Sequence, residues 1–124
     1  MNLHLDANAV LRFLLNDVED QARQAKSVID TGKACLSNEV LAEVVYVLTK
    51  VYELQRATIV DALEGLLPSV VICEDPELLR MALEIYRDNR KLDIVDAILA
   101  ARHRCNGDEI LTFDKDLLKY LAAN

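Results

Sequence analysis

The sequence predicts an α/β fold in which a mainly parallel sheet carries helices on both faces. Short apolar runs alternate with longer segments of helical periodicity along the whole chain, which is the pattern of βαβ units. The chain has 124 residues, which suits a single domain over residues 1–124, and 52% of them are hydrophobic. Only three Gly and two Pro interrupt it, and 5% of the residues are aromatic. We therefore expect a mostly helical chain with an aliphatic core.

Four apolar runs are the predicted strands. In the first, Leu3 and Leu5 alternate with polar residues, and the run ends at Asp6. The third is an unbroken β-branched run that ends in Cys73, which is typical of a buried strand. The four predicted strands are residues 3–5, 34–36, 70–73 and 109–112.

Seven segments with helical spacing of apolar residues separate and follow these strands. Their ends carry the expected signals: Ser37 as a capping hydroxyl, Asp75 followed by Pro76 at a helix start, and Gly32 as a left-handed cap. The predicted helices are residues 7–15, 19–30, 38–51, 56–67, 76–89, 93–106 and 114–121.

The net charge of −7 and the pI near 4.7 argue against a protein that coats nucleic acid with its whole surface. Divalent cations or a local basic stripe still allow action on a phosphate backbone. Cys35 and Cys73 lie in strand-like runs and Cys105 stands apart, so buried reduced thiols are expected. With no leader and no apolar run of membrane-spanning length, we expect a soluble cytoplasmic protein that does not contact a membrane.

Four carboxylates stand out by their positions. Asp6 and Asp114 follow predicted strands, at the edge where open α/β sheets bind ligands. Glu43 and Asp96 lie inside apolar stretches of predicted helices, where an unpaired carboxylate costs several kcal/mol to bury. If the strands form one sheet, the four acids can meet at one rim and would repel each other strongly.

A Mg²⁺ or Mn²⁺ ion would remove that repulsion, because hard divalent cations prefer oxygen ligands. Two such ions about 3.5–4 Å apart can drive the hydrolysis of a phosphodiester. The ordinary explanation for a single acid stays open, since Asp93 and Asp114 are also good helix caps and Asp116 can be a surface residue.

Basic residues cluster around the predicted helix that contains Asp96. Arg87, Arg90 and Lys91 precede it, Arg102 lies within it, and Arg12 follows Asp6 on the first helix. Such a stripe can hold RNA phosphates, and it can equally be a solvated basic face.

Four motifs, in this order, resemble those of a PIN domain and most closely the VapC-type toxins of toxin–antitoxin pairs. They are residues 5–11, 41–48, 92–101 and 110–116. The resemblance covers nearly the whole chain and implies a three-layer α/β/α sandwich and a metal-dependent ribonuclease that leaves a 3′-hydroxyl and a 5′-phosphate. Asp6, Glu43, Asp96 and Asp114 match the metal-binding acids of that family.

The resemblance also implies supporting roles and partners. Asn8 and Thr112 match positions that support the site by hydrogen bonds, and Asp93 and Asp116 are further candidates for such a role. Relatives are commonly homodimers and are inhibited by a VapB-like antitoxin. Ala7 departs from the family pattern, which has Thr or Ser there, and the sequence ends at Asn124 without the final strand of many relatives, so a sheet of four strands is expected where others have five.

Other functions fit the sequence less well. A receiver domain would have adjacent acids after the first strand, and an aspartyl phosphatase would have Asp where Asn8 stands. The alternative that stays open is a catalytically weak or inactive PIN-like module that binds RNA or protein.

Overall fold

The computed structural model describes residues 2–124 and contains three strands and seven α-helices. The strands are β1 (Leu3–His4), β2 (Ala34–Leu36) and β3 (Val71–Ile72). The helices are α1 (Ala7–Leu15), α2 (Glu19–Ile29), α3 (Asn38–Lys50), α4 (Arg56–Leu66), α5 (Pro76–Asp88), α6 (Ile94–Asn106) and α7 (Lys115–Ala123). A single 3₁₀ turn, Leu67–Ser69, follows α4 at the predicted stop around Pro68.

The chain divides into two compact units. The N-terminal unit runs to Glu74 and holds the sheet with α1 to α4, and the C-terminal unit is Asp75–Asn124 with α5 to α7. Within the N-terminal unit α1 packs on α2 and α3, and α3 packs on α4. Within the C-terminal unit α6 packs on α5 and α7.

The sheet is parallel and its strand order is β1-β2-β3. Leu3 pairs with Ala34 and Cys35 pairs with Val71, and the ladder extends one residue past β1 because the Leu5 N–H donates to the Cys35 carbonyl (3.0 Å). All three carboxyl ends therefore lie along the same edge of the sheet. The predicted parallel pairing is confirmed for these strands.

The core is aliphatic, as predicted. Its largest fully buried side chains are leucine, isoleucine and valine, and Tyr86 is the buried aromatic residue in the part of the chain that the structure describes. On α3 the buried residues Leu41, Val44, Val45 and Leu48 follow the helical repeat, which is how an amphipathic helix presents one face to a core.

The predicted fourth strand is wrong, and so is the sheet of four or five strands. Residues 109–112 form a loop, and Leu111 and Phe113 are 87% and 88% exposed. Local hydrogen bonds hold both ends of this loop: His103 Nδ1 donates to the Asp108 carbonyl (3.1 Å), and the Asp114 N–H donates to the Thr112 hydroxyl (3.1 Å). Such side-chain bonds compete with strand pairing for backbone groups.

Two burial predictions for the third strand are also wrong. β3 is an edge strand in which Val71 is 45% exposed, and Cys73 just beyond it is exposed, whereas Cys35 on the central strand is buried as predicted. An edge strand has a neighbour on one side alone, so a β-branched run does not guarantee burial. The three-layer arrangement and the single domain stay predictions.

Candidate functional site

Asp6 lies at the carboxyl edge of the N-terminal unit's sheet. Its backbone is extended, it directly follows the last paired residue after β1, and its Oδ1 accepts a hydrogen bond from the Ala9 N–H (2.8 Å). The carboxylate thus caps α1 and is exposed to solvent. Its position at the strand end matches the prediction.

A groove of about 420 Å³ runs beside Asp6 within the same unit. Asn8 and Arg12 of α1 line it, together with glutamines of α2. Arg12 is half-buried and already engaged, because its Nη1 pairs with Asp17 (3.1 Å) and its Nη2 donates to the Tyr52 hydroxyl (3.4 Å). Arg12 therefore anchors loops of this unit as well as facing the groove.

Two residues that the sequence analysis missed stand at the same edge. Continuing the register places Ser37 level with Asp6 and with Cys73, and Asn38 level with Glu74. Glu74 Oε2 accepts from the Asn38 N–H (3.1 Å), so a carboxylate that follows β3 caps the start of α3. Glu74 follows its strand just as Asp6 follows β1, and that signal was readable in the sequence.

Asn38 is the second missed residue. Its side chain is 7% exposed, and its Nδ2 and Oδ1 have no hydrogen-bond partner among the described residues. A buried amide without partners costs roughly 1–3 kcal/mol, so water or a ligand is expected to satisfy it. The sequence gives no sign of this, because Asn at the start of a helix is unremarkable.

Glu43 is exposed on α3, so its predicted burial is wrong. Leu41, Val44 and Val45 lie on the buried face of α3, whereas Glu43 lies on its solvent-exposed face. Apolar flanks in the sequence did not bury it, because neighbours in a helix point in directions about 100° apart.

The C-terminal unit contains four of the candidate acids, at the starts of α6 and α7. Asp93 caps α6 and forms a reciprocal capping box with Asp96: Asp93 Oδ1 accepts from the Asp96 N–H (2.8 Å), and Asp96 Oδ2 accepts from the Asp93 N–H (3.3 Å). Asp96 is half-buried, and Asp93 is exposed.

Asp114 begins α7 and completes this group. Its Oδ1 accepts from the Leu117 N–H (2.9 Å), and the Thr112 hydroxyl accepts from the Asp114 N–H (3.1 Å). Thr112 thus holds the backbone of Asp114, and its supporting role stays a prediction. Asp116 lies half-buried in the first turn of the same helix.

The surroundings of Asp96 disfavour its charged form. Burial raises the pKa of its carboxyl, the hydrogen bond from the Asp93 backbone opposes that rise, and the charges of Asp93 and Asp114 add to it. These carboxylates are therefore close enough to repel each other. Crowded acids with a perturbed pKa are a recurrent feature of functional sites.

The predicted RNA-binding cations occupy different surroundings. Arg87 pairs with Asp88 (Nε to Oδ1, 3.0 Å), and that hydrogen bond lowers the pKa of the Asp88 carboxyl. Arg90 and Lys91 are exposed in the segment before α6, and Arg102 is half-buried on α6.

The donors suit a hard divalent cation in chemistry, but they are not pre-arranged for one. Carboxylate oxygens are the ligands that Mg²⁺ and Mn²⁺ prefer, and a cation would relieve the repulsion around Asp96. However, over residues 2–124 neither unit brings three or more His, Cys, Asp or Glu side chains into a group ready to hold a metal ion. The capping hydrogen bonds account for this, since they orient the carboxylates toward backbone N–H groups.

Comparison with known proteins gives one family. The family model described as PIN domain matches residues 3–122, which is nearly the whole chain. Nothing among the curated proteins matches, and nothing among the solved structures matches. No helix of the described residues is long and apolar enough to cross a membrane.

Proposed function

The chain belongs to the PIN domain family, and on this premise we propose that it is a metal-dependent endoribonuclease that hydrolyses phosphodiester bonds of RNA. PIN domains are generally nucleases. The observation that carries the proposal is the placing of Asp96 near the starts of α6 and α7, where burial raises the pKa of its carboxyl and the charges of Asp93 and Asp114 add to that rise. Such repulsion is costly unless a cation offsets it.

We assign the metal-binding role to Asp6, Glu43, Asp96 and Asp114. Mg²⁺ or Mn²⁺ suits these oxygen donors, and when bound it polarises water and offsets the charge that develops on the phosphate. The chain's own hydrogen bonds orient the acids. The capping box fixes Asp96, the Thr112 hydroxyl fixes Asp114, and the strand end fixes Asp6.

The supporting roles follow from the same contacts. Asp93 holds the first turn of α6, and Thr112 holds the first turn of α7. Asn8 lies two residues after Asp6 on the wall of the same groove, where its amide can hydrogen-bond to a phosphate or a sugar. We include Asp116, which lies in the first turn of α7 two residues after Asp114, as a further candidate for a supporting role.

The test is cleavage of a mixed cellular RNA pool by the purified protein with Mg²⁺ or Mn²⁺, and with EDTA. We expect cutting that requires the metal and is lost in Asp96→Asn, which keeps the shape of the side chain and its capping bond. Glu64→Gln, an exposed acid on α4, is the matched control and should cut like the wild type. Absence of cutting on any RNA by folded, metal-loaded protein would refute the nuclease.

A second function is favoured by one observation. Because neither unit of the described chain holds a pre-arranged group of metal ligands, a catalytically weak or inactive module that binds RNA or protein is the alternative. It predicts RNA binding that is equal in the wild type and in Asp96→Asn, with no cleavage by either.

We further propose that the protein is the toxin of a type II toxin–antitoxin pair of the VapC type. The order of the four motifs supports this, and so does the fit of one PIN domain model to nearly the whole chain. The proposal includes a homodimer, a VapB-like antitoxin and action in the cytoplasm. Tyr46 on α3 and Val51 directly after it are both exposed and give a partner apolar area to cover.

Inducible expression in a bacterial host tests the toxin proposal. We expect growth arrest with the wild-type protein and normal growth with Asp96→Asn at the same expression level. Light scattering on the purified protein tests the homodimer. Normal growth with active, RNA-cleaving protein would refute the toxin role and leave the nuclease intact.

A further inference from the structure

A basic groove runs along α7 in the C-terminal unit. Its volume is about 550 Å³, and it lies between α7 and the segment that connects α5 to α6. Its charged lining residues are Arg90, Lys91, Arg104, Lys119 and Asp116, four cations and one acid. The whole chain carries a net charge of −7, so this concentration of positive charge is opposite in sign to the protein as a whole. We call it the α7 groove.

An aromatic ring belongs to the same groove. Tyr120 of α7 is half-buried in its lining, and its hydroxyl accepts a hydrogen bond from Arg104 Nη1 (3.1 Å). That bond links α6 to α7. An aromatic ring beside several cations is the combination that binds single-stranded nucleic acid, in which bases stack on aromatic rings and phosphates pair with Lys and Arg.

The walls of the groove continue into the segments that carry the acids. Lys91 precedes Asp93 by two residues, and Asp116 follows Asp114 by two residues. From there the groove follows α7 to its last turn, about 13 Å for nine residues. A strand bound along the groove would thus extend from the crowded carboxylates of the same unit.

We propose that the α7 groove binds a single-stranded segment of the RNA substrate, with Lys91, Arg104 and Lys119 on its phosphates and Tyr120 stacked on a base. This inference rests on the proposed ribonuclease function and names the part of the chain that holds the substrate. An acidic peptide would match the cations as well, but it would leave the ring of Tyr120 without a stacking partner. RNA uses both features, and so it is the occupant that the lining favours.

Binding of a fluorescein-labelled oligouridylate, measured by anisotropy in EDTA, tests the proposal without cleavage. The double variant Lys91→Gln/Lys119→Gln removes two exposed charges. We expect it to weaken binding at least about tenfold and to reduce the slope of log K against log salt by roughly 1.4, the value for two lost phosphate contacts on a single strand. Lys33→Gln/Lys50→Gln, with two exposed lysines of the N-terminal unit, is the control of equal charge and should bind like the wild type.

A second pair of variants tests the ring. Tyr120→Phe keeps the ring and should bind with nearly the wild-type affinity, whereas Tyr120→Leu should weaken binding about 5- to 150-fold by loss of stacking. Thermal unfolding followed by circular dichroism shows whether each variant is folded. If Tyr120→Leu does not fold, the lysine pair decides alone.

Two results would overturn the proposal. One is equal RNA affinity for Lys91→Gln/Lys119→Gln and its control. The other is an α7 groove that binds labelled oligoglutamate more tightly than oligouridylate, with the same dependence on the two lysines. Failure of the nuclease proposal gives a different result. RNA binding that depends on the α7 groove, without metal-dependent cleavage, would refute the ribonuclease and support the groove.

Discussion

The two units treat the same local sequence pattern differently. In both, an Asp that precedes a helix accepts a backbone hydrogen bond: Asp6 does so at α1, and Asp93 and Asp114 do so at α6 and α7. Asp6 is exposed at the edge of its sheet. In the C-terminal unit, burial raises the pKa of the half-buried Asp96, and the charges of Asp93 and Asp114 add to that rise. Capping therefore places the acids of both units, and the capping box places Asp96 where burial and two neighbouring charges disfavour its charged form.

This difference between Asp6 and Asp96 indicates that the C-terminal unit holds a carboxylate at a cost in stability. A carboxylate held near two others is destabilising for the free protein and useful to a protein that binds a cation. The C-terminal unit is accordingly the part in which the structure itself points to function. For Asp6 and Glu43 the assignment depends on the family and on their positions in the sequence.

The largest expected effects are on the cores of the units. Leu63→Ala in α4 and Leu83→Ala in α5 each remove a fully buried side chain and should each lower the free energy of unfolding by about 2–5 kcal/mol. Urea unfolding followed by circular dichroism measures both. A cost below about 1 kcal/mol for one of them would show that the core of its unit is loosely packed.

Activity should fall nearly as much when an acid is neutralised in either unit. Asp6→Asn and Asp114→Asn each keep a capping oxygen, and each should lower kcat/KM by about 10²–10³-fold, the usual cost of removing one preorganised electrostatic contact. The double variant should be little worse than either single one, because groups that act in one reaction are not additive. If the double variant lost activity by the product of the two single losses, Asp6 and Asp114 would not act in the same step.

The caps offer a smaller test of the same comparison. Asp75→Ala removes the side-chain cap of α5, in which Asp75 Oδ1 accepts a hydrogen bond from the Glu77 N–H (3.0 Å). It should lower the free energy of unfolding by about 1 kcal/mol. Ser37→Ala removes the cap of α3, in which Ser37 Oγ accepts a longer hydrogen bond from the Val40 N–H (3.4 Å). It should lower the free energy of unfolding by less. Thermal unfolding of the two variants measures both losses of stability. A larger loss for Ser37→Ala than for Asp75→Ala would contradict the prediction.

The smallest effect is expected from Asp96→Asn on stability, and its sign is opposite to the others. The folded-state pKa of Asp96 is raised above the ordinary value of 3.8, so its charge disfavours folding at neutral pH. The variant should then be more stable than the wild type above the raised pKa, and the difference should vanish as the pH falls through it to below 3.8. Urea unfolding in EDTA from neutral to acidic pH measures the difference. A variant that is less stable at neutral pH would contradict the repulsion.

Much of the local structure was predictable because its signals are local. Asp75 with Pro76 and Ser37 begin helices as predicted, and Gly107 ends α6 with φ of 73°. Asp93 caps α6, as its place at a helix start predicts, and it forms the capping box with Asp96. Boundaries set by one or two residues can be derived from sequence.

Features that depend on distant neighbours were not predictable. Residues 109–112 contain the apolar pair Ile110 and Leu111, yet they form a loop whose flanking hydrogen bonds are local, from His103 Nδ1 to the Asp108 carbonyl and from the Asp114 N–H to the Thr112 hydroxyl. Glu43 has apolar neighbours in sequence and solvent beside it in space. The burial of the Asn38 side chain and the hydrogen bond from the Asn38 backbone N–H to Glu74 depend on the register of β2 and β3, which no local pattern encodes.

The most direct test of the central claim is calorimetric titration of Mn²⁺ into the wild type, Asp96→Asn and the control Glu64→Gln. The claim is that the crowded carboxylates around Asp96 hold the divalent cation that RNA cleavage needs. It predicts saturable binding to the wild type and to the control, and binding at least about tenfold weaker in Asp96→Asn. Mn²⁺ binding of equal strength in all three proteins, or none in the wild type, would contradict it.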